Sequence, residues 1–302
     1  MTLTGLHFLF TYKCVYQCDH CFVWGGPGQT GVMTLAQVRQ IYDQAEALGT
    51  IDEIYFEGGE PMLYQPVVVE AAREARQRGF SVGMVTNAYW ATTEEDARIW
   101  LRPLAGLVDT LEVSTDLFHA DEVMHEQARN VVVAAGQLGI PVNTIVCEPP
   151  GGAAGTQTQD RGAPVESGNI LFKGRAAEAL TDGVARRPWR ELDACPSEEL
   201  EHPRRVHLDP LGNLHICQGV PMGNLFQRPL KEIVAEFDPA NHPIIGPLLD
   251  GGPAALVQRY DVPHDEGYVD ACHLCFEART CLRQRFPDAL APDQMYGEPE
   301  QR

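Results

Sequence analysis

The sequence predicts an α/β fold: a partial (β/α)6 parallel barrel over residues 1–190, then a smaller α+β domain over residues 191–302 that carries a β-hairpin. Three observations carry this expectation. Strand-like and helix-like segments alternate through the first half with short connections, the pattern of a parallel sheet covered by helices. After residue 190 the pattern changes to two alternating segments around Pro210, Leu211 and Gly212, and then to short helices interrupted by Pro229, Pro243, Pro253 and Pro263. The 302 residues, 44% of them apolar, bury a sizeable core yet exceed one usual domain. About five or six βα units fit before residue 180, too few for a closed eight-fold barrel.

Each element has a local signal. Residues 7–11 are a short apolar run. Residues 33–48 place Leu35, Val38, Ile41, Ala45 and Leu48 at a helical period, with Thr34 as N-cap and Gly49 as stop. Residues 53–57 read as a strand, 66–79 as a helix opened by Pro66, and 80–85 as a strand. Residues 93–101 read as a helix with Glu94, Glu95 and Asp96 in its first turn, where acid favours the dipole. A strand over 109–114, a helix over 120–138 and a strand over 140–146 follow. Residues 148–168 are rich in Gly, Pro, Gln and Ala, and such a stretch is expected to be a mobile loop over the mouth of the site. Residues 206–209 and 213–217 are the strands of the expected hairpin.

With 23 basic and 42 acidic side chains the formal net charge is −19, which argues against nucleic acid or an anionic membrane as the main partner. No apolar run reaches the roughly 18 residues of a membrane span, and residues 1–10 show no secretory pattern. A cytoplasmic address is expected. The nine cysteines are odd in number and grouped, which in a reducing compartment points to metal.

The chemistry begins directly after the first strand, with Cys14, Cys18 and Cys21 spaced within eight residues. Three thiolates are one short of the four that usually hold an iron–sulfur cubane, so a cluster bound there keeps one iron open. Zinc is the competing reading if His20 completes the set. The second strand runs into Gly58, Gly59, Glu60 and Pro61. Glycines admit close approach to the backbone, and the Glu60 carboxylate with its neighbouring carbonyls suits an ammonium group.

Together the two motifs resemble the radical S-adenosylmethionine (radical SAM) superfamily, over roughly residues 7–147. The resemblance implies that Cys14, Cys18 and Cys21 bind a [4Fe–4S] cluster whose open iron takes S-adenosylmethionine. It implies that Gly58, Gly59 and Glu60, with Pro61, hold the methionine ammonium, and that His20 lies near the adenine. Sites on parallel α/β barrels gather at the C-terminal ends of strands, a rule that brings Asn87, Ser114, Asp116 and Cys147 to the same rim. By resemblance, Ser114 and Asp116, with Asn87 behind them, touch the ribose and carboxylate; a cap or turn role is the alternative. Cys147 is either a hydrogen-atom donor to a substrate radical or a small buried apolar residue.

Cys195, the Gly212-to-Cys217 spacing and Cys272 with Cys275 resemble the auxiliary-cluster domains called SPASM and, in the one-cluster form, twitch, over roughly residues 191–286. The implied second [4Fe–4S] cluster rests on Cys195, Cys217, Cys272 and Cys275. If Cys275 starts a helix, Cys281 lies about 9 Å further along and about 240° around it, and is expected to pack beside Leu282; in a loop it would replace one of the four. Zinc is again the other reading. Lys173 and Arg175 are expected against a carboxylate or phosphate, or on a solvated surface.

The implied activity is that of a radical SAM oxidoreductase. S-adenosylmethionine is cleaved reductively to a 5′-deoxyadenosyl radical that abstracts a hydrogen atom, with an electron donor such as flavodoxin or ferredoxin and with the auxiliary cluster assisting a dehydrogenation. The substrate is a small molecule or a peptide, the first favoured because the cysteine motif starts at Cys14. Epimerisation, peptide or protein maturation, and a non-enzymatic electron carrier are the alternatives.

Overall fold

The computed structural model describes residues 1–120, 124–150 and 168–298. Strands β1 (Gly5–Thr11), β2 (Glu53–Gly58), β3 (Ser81–Thr86), β4 (Thr110–Ser114) and β5 (Val142–Ile145) pair in parallel in chain order, joined through α1 (Leu35–Leu48), α2 (Gln65–Gln77), α3 (Glu94–Leu101) and α4 (Glu126–Leu138). Thr34 caps α1 in a reciprocal box with Gln37, and Gly49 ends it at φ +76°. Thr93 caps α3 through Asp96 N. Helix α4 begins at Glu126, later than residue 120. Local bonds explain the delay: Asp116 Oδ1 accepts from Phe118 N (3.0 Å) and Thr115 Oγ1 from Met124 N (2.7 Å), which compete with helix. The loop expected over 148–168 lies, from 151 to 167, outside the described residues.

The C-terminal half departs from the expected separate hairpin. Short helices α5 (Arg175–Ala179) and α6 (Leu230–Glu236) follow, and short ribbons pair β6 (Cys147–Glu148) with β7 (Gly168–Asn169), and β8 (Arg187–Pro188) with β12 (Gly267–Tyr268). Strands β9 (Arg205–Leu208), β10 (Asn213–Cys217) and β11 (Val220–Asn224) form an antiparallel meander, and β9 lies parallel to β1 with His207 opposite His7. One eight-stranded sheet results, in the order β11-β10-β9-β1-β2-β3-β4-β5. The sixth parallel strand is therefore β9, on the far edge of β1. Alternation in a sequence tells which way side chains face, and it is silent on which edge a strand joins.

Leu6, Phe8 and Phe10 of β1 face the helices, with the Phe8 ring 5.9 Å from Tyr42 of α1. The opposite face is polar. His7 stacks on Tyr55 at 4.8 Å, its nitrogens lie 3.2 Å from Glu53 Oε1 and 3.3 Å from Glu57 Oε1, and His207 Nε2 lies 2.9 Å from the same Glu57 oxygen. Burial opposes the Glu57 charge, yet His207 and His7 hold its carboxyl well below the usual range. Gly83 is bare because a Cβ there would meet the Tyr55 ring at 1.9 Å. No described helix is long and apolar enough to cross a membrane.

Asp209 closes the seam between β1 and the meander. It is fully buried and accepts from Tyr12 Oη, Leu211 N, Asn213 N and Asn213 Nδ2, each at 2.9 Å, with His215 Nε2 at 3.1 Å. Burial opposes its charge, but His215 and Asn213 keep the carboxyl below its ordinary value. Asp209→Ala strands these donors and is expected to cost about 3 kcal/mol or more, read by urea denaturation. Because the folded pKa is depressed, this contribution is present above about pH 4 and is lost as pH falls through the folded value. The gap between variant and wild type should narrow on acidification.

Candidate active site

The end of β2 presses on the exit of β1. Gly59 N donates to Thr11 O (2.6 Å) and Glu60 N to Lys13 O (2.9 Å). A Cβ on Gly59 would sit 2.2 Å from Lys13 O, and one on Gly58, at φ +126°, would sit 2.6 Å from Thr11 O. The chain's own backbone thus requires glycine at both positions. Glu60 is fully buried, and its carboxylate accepts from Met62 N and Thr86 Oγ1 (2.9 Å each) and from Asn87 N (2.7 Å). Both oxygens are engaged within the protein, where the sequence reading turned the carboxylate toward an ammonium group. Pro61 opens the short turn that follows.

Past β1 the chain loops out and returns, bridging Thr11 to Val32 and Lys13 to Gly26. N–H donors approach the thiols inside this loop. Asn87 Nδ2 lies 3.4 Å and Tyr16 N 3.5 Å from Cys14 Sγ, and Gly25 N lies 3.2 Å from Cys21 Sγ. Cys14 is buried, and Cys18 and Cys21 are half-buried. Burial pushes the Cys14 thiol up to about 11 and raises Cys18 as well. Such thiols ionise when a metal takes the proton's place.

Asp116 centres the adjoining rim. Its Oδ1 lies 2.8 Å from His119 Nδ1, and its Oδ2 accepts from Cys147 N (3.2 Å) and lies 4.0 Å from His20 Nε2. The His20 ring sits 4.5 Å from that of Phe118, and burial takes its pKa down to about 4, so it is neutral. Burial pushes the Cys147 thiol up to about 12. Cys147 starts β6 instead of ending β5, yet it stays beside Asp116. Ser114 ends β4, opposite Ile145. His119 was not singled out in the sequence, because only the Asp116 turn brings it here.

A second convergence lies below β10. Cys195, Cys217, Cys272 and Cys275 line one cavity with Lys173, Glu198, Leu200, Val220, Leu248 and Arg279. Helix α8 (Ala271–Leu282) carries Cys272 and Cys275, with Asp270 accepting from His273 N as its cap. Helix α7 (Ile245–Tyr260) kinks at Gly251 and Gly252, and a Cβ on Gly252 would lie 2.3 Å from Ala194 N. That contact presents the loop holding Cys195. Cys281 is exposed, not packed beside Leu282, because the turn of α8 carries it away.

The profile of the radical SAM superfamily matches residues 8–147, from β1 through Cys147. The chain carries a radical SAM domain. It is 31% identical over 128 residues to the tungsten-containing aldehyde ferredoxin oxidoreductase cofactor-modifying protein of Pyrococcus furiosus, covering 42% of this chain and 33% of that one. It is 30% identical over 106 residues to an S-adenosylmethionine-dependent nucleotide dehydratase of Selenomonas ruminantium, covering 35% of this chain and 36% of that one. The chain thus matches about a third of these relatives' lengths. A solved structure described as "Native anSMEcpe with bound AdoMet" superposes with a TM-score of 0.51 at 12% identity, covering 94% of this chain and 97% of that one, which shows the fold.

Within the radical SAM domain, Glu60 carries a pH signature. Burial raises its carboxyl from 4.5 to about 7, in spite of donors from Asn87, Met62 and Thr86. Between those values the folded protein keeps a proton that the unfolded chain has released, so this group's contribution to stability falls as pH rises through that window. Glu60→Gln is expected to flatten the slope of denaturation midpoint against pH there. It should also lower stability, since an amide nitrogen would face one of the donors. A wild-type slope in Glu60→Gln would refute the assignment.

Proposed function

We propose that the protein is a radical SAM oxidoreductase whose residues 191–302 hold an auxiliary [4Fe–4S] cluster, and that it dehydrogenates a small molecule. The observation that carries this reading is the pair of cysteine convergences attached to one sheet, one with three thiols and one with four. Three thiols leave one iron of a cubane open to S-adenosylmethionine, which supports a cluster over zinc at the first site. Among the relatives' names, a cofactor-modifying protein and a nucleotide dehydratase fit a cofactor or small-molecule substrate, and a putative peptide biosynthesis protein fits a peptide.

When bound, the first cluster with S-adenosylmethionine would supply reductive cleavage and hydrogen-atom abstraction, fed by one electron from a donor such as flavodoxin or ferredoxin, and the auxiliary cluster would supply a one-electron acceptor for a dehydrogenation. The chain's own part is binding and orientation. Cys14, Cys18 and Cys21 would hold the first cluster, and the N–H groups of Asn87, Tyr16 and Gly25 favour their thiolates. With Glu60 engaged, the ammonium falls to the backbone carbonyls of the 58–60 turn. His20 and Phe118 offer ring faces for the adenine. The Asp116–His119 pair is placed to hold a substrate hydroxyl or receive a proton at His119.

Anaerobic reconstitution is expected to give about eight irons per chain and 5′-deoxyadenosine on reduction. Cys18→Ser should abolish cleavage, while Cys217→Ser should keep cleavage and lose the oxidised product. Iron without cleavage, with candidate substrates present, would turn the reading to an electron carrier.

Cys147 favours a second reading, radical epimerisation. Its thiol stays protonated, beside Asp116 and within reach of the same rim, and an S–H group is a hydrogen-atom donor. Cys147→Ala should then abolish product and leave substrate-dependent 5′-deoxyadenosine formation intact. Surviving product would remove this reading.

A further inference from the structure

Three consecutive residues, Lys173, Gly174 and Arg175, touch both cysteine sites. Lys173 is 4% exposed, and its Nζ donates to Gln218 Oε1 (2.7 Å) and Glu198 Oε1 (3.2 Å) and lies 3.9 Å from Cys217 Sγ. Arg175 is 7% exposed and grips the first cysteine loop: NH1 donates to Cys18 O (2.6 Å), NH2 to Gly25 O (2.9 Å), and the backbone N to Cys21 O (3.0 Å). Between them Gly174, at φ +61°, lies so close that a Cβ would sit 2.5 Å from Phe22 Cα. The segment is pinned at both ends, and Lys173 has no freedom to leave.

The charge balance of the four-cysteine cavity singles out this lysine. A cubane on four thiolates is an anion, and reduction adds further negative charge to a space walled by Leu200, Val220 and Leu248. Arg279 also lines that space and adds a second positive charge, with its guanidinium held by Gln218 O (2.8 Å) and Cys275 O (3.3 Å). Lys173 alone of the two presents its donor end to a cysteine sulfur, with Glu198 opposing it on the other side. A fixed cation beside the sulfur stabilises the reduced form, and a fixed carboxylate destabilises it.

We propose that Lys173 is a positioning residue that raises the reduction potential of the C-terminal cluster, that Glu198 lowers it, and that Arg175 anchors the segment so that this charge stays in place. The proposal rests on the reading of the four-cysteine cavity as a cluster site. Its test is an EPR-monitored redox titration of the reconstituted protein. Lys173→Met is expected to shift the C-terminal cluster to more negative potential and Glu198→Gln to more positive potential. Lys173→Arg should restore most of the wild-type value, and the N-terminal cluster's potential should hold constant as an internal reference. A merely structural lesion gives no such opposed signs.

If wild-type protein binds no second cluster, the cavity reading fails and takes this inference with it. If both clusters bind and the two charge variants leave the potential unchanged, or move it the same way, the inference alone is overturned. Should Lys173→Met not fold, Glu198→Gln decides: a shift to negative potential, or none, overturns it.

Discussion

The ends of β1 and β2 meet through contacts that only bare backbone allows, and the end of β3 joins them through Glu60. The turn at Gly58 and Gly59 lies against Thr11 and Lys13 closer than any Cβ permits. From that contact the rest of the first site is built by succession. Glu60 N is held by Lys13 O, the Glu60 carboxylate then holds Asn87 N, and the Asn87 amide reaches Cys14 Sγ. Exit of β1, turn after β2 and end of β3 are thereby locked before any ligand arrives. Hydrogen bonds of this kind, buried and mutually supporting, are strong as a set and costly to leave half-made.

The distribution of cations follows the same logic. The protein is acidic, at −19, and many of its arginines pair with exposed carboxylates, as Arg76 does with Asp109 and Arg228 with Glu236. Such pairs contribute little. Lys173, Arg175 and Arg279 are instead buried, and each touches a cysteine loop or a cysteine's own backbone. Lys173 has Glu198 as its matching charge at 3.2 Å, whereas Arg175 and Arg279 are met by backbone carbonyls.

Much of this was legible in the sequence, for identifiable reasons. Helical period, Thr34 and Gly49 marked α1 because capping is local chemistry. Cys14, Cys18 and Cys21 were legible because their spacing within one loop is itself the signal. Cys195, Cys217, Cys272 and Cys275 converge on one cavity as their spacing suggested. What was not legible depends on tertiary neighbours. Glu60 reads as a ligand-facing carboxylate until Thr86 and Asn87 are seen to engage it. The cations at 173 and 175 were noticed, but nothing local tells that their partners are Glu198, Gln218 and the carbonyls of Cys18 and Gly25. His119 enters only through the Asp116 turn.

The edge chosen by β9 has the largest consequence. The expected boundary near residue 190 is crossed by the ladder, since β9 pairs with β1. Cys14 follows β1 and Cys217 ends β10, and β9 pairs with both strands, parallel to β1 and antiparallel to β10. Tyr12 is bonded across the same seam to Asp209. The chain then ties the two sites again from outside the sheet: Gln294 Nε2 donates to Trp24 O (3.1 Å), and Tyr296 Oη to the carbonyl of Gly219 (2.7 Å), close after Cys217 in sequence. A hinge between the sites would have to break the β1–β9 pairing, the Asp209 network, the 173–175 segment and this C-terminal turn together. The segments that carry Cys14 and Cys217 are therefore tied through one continuous sheet.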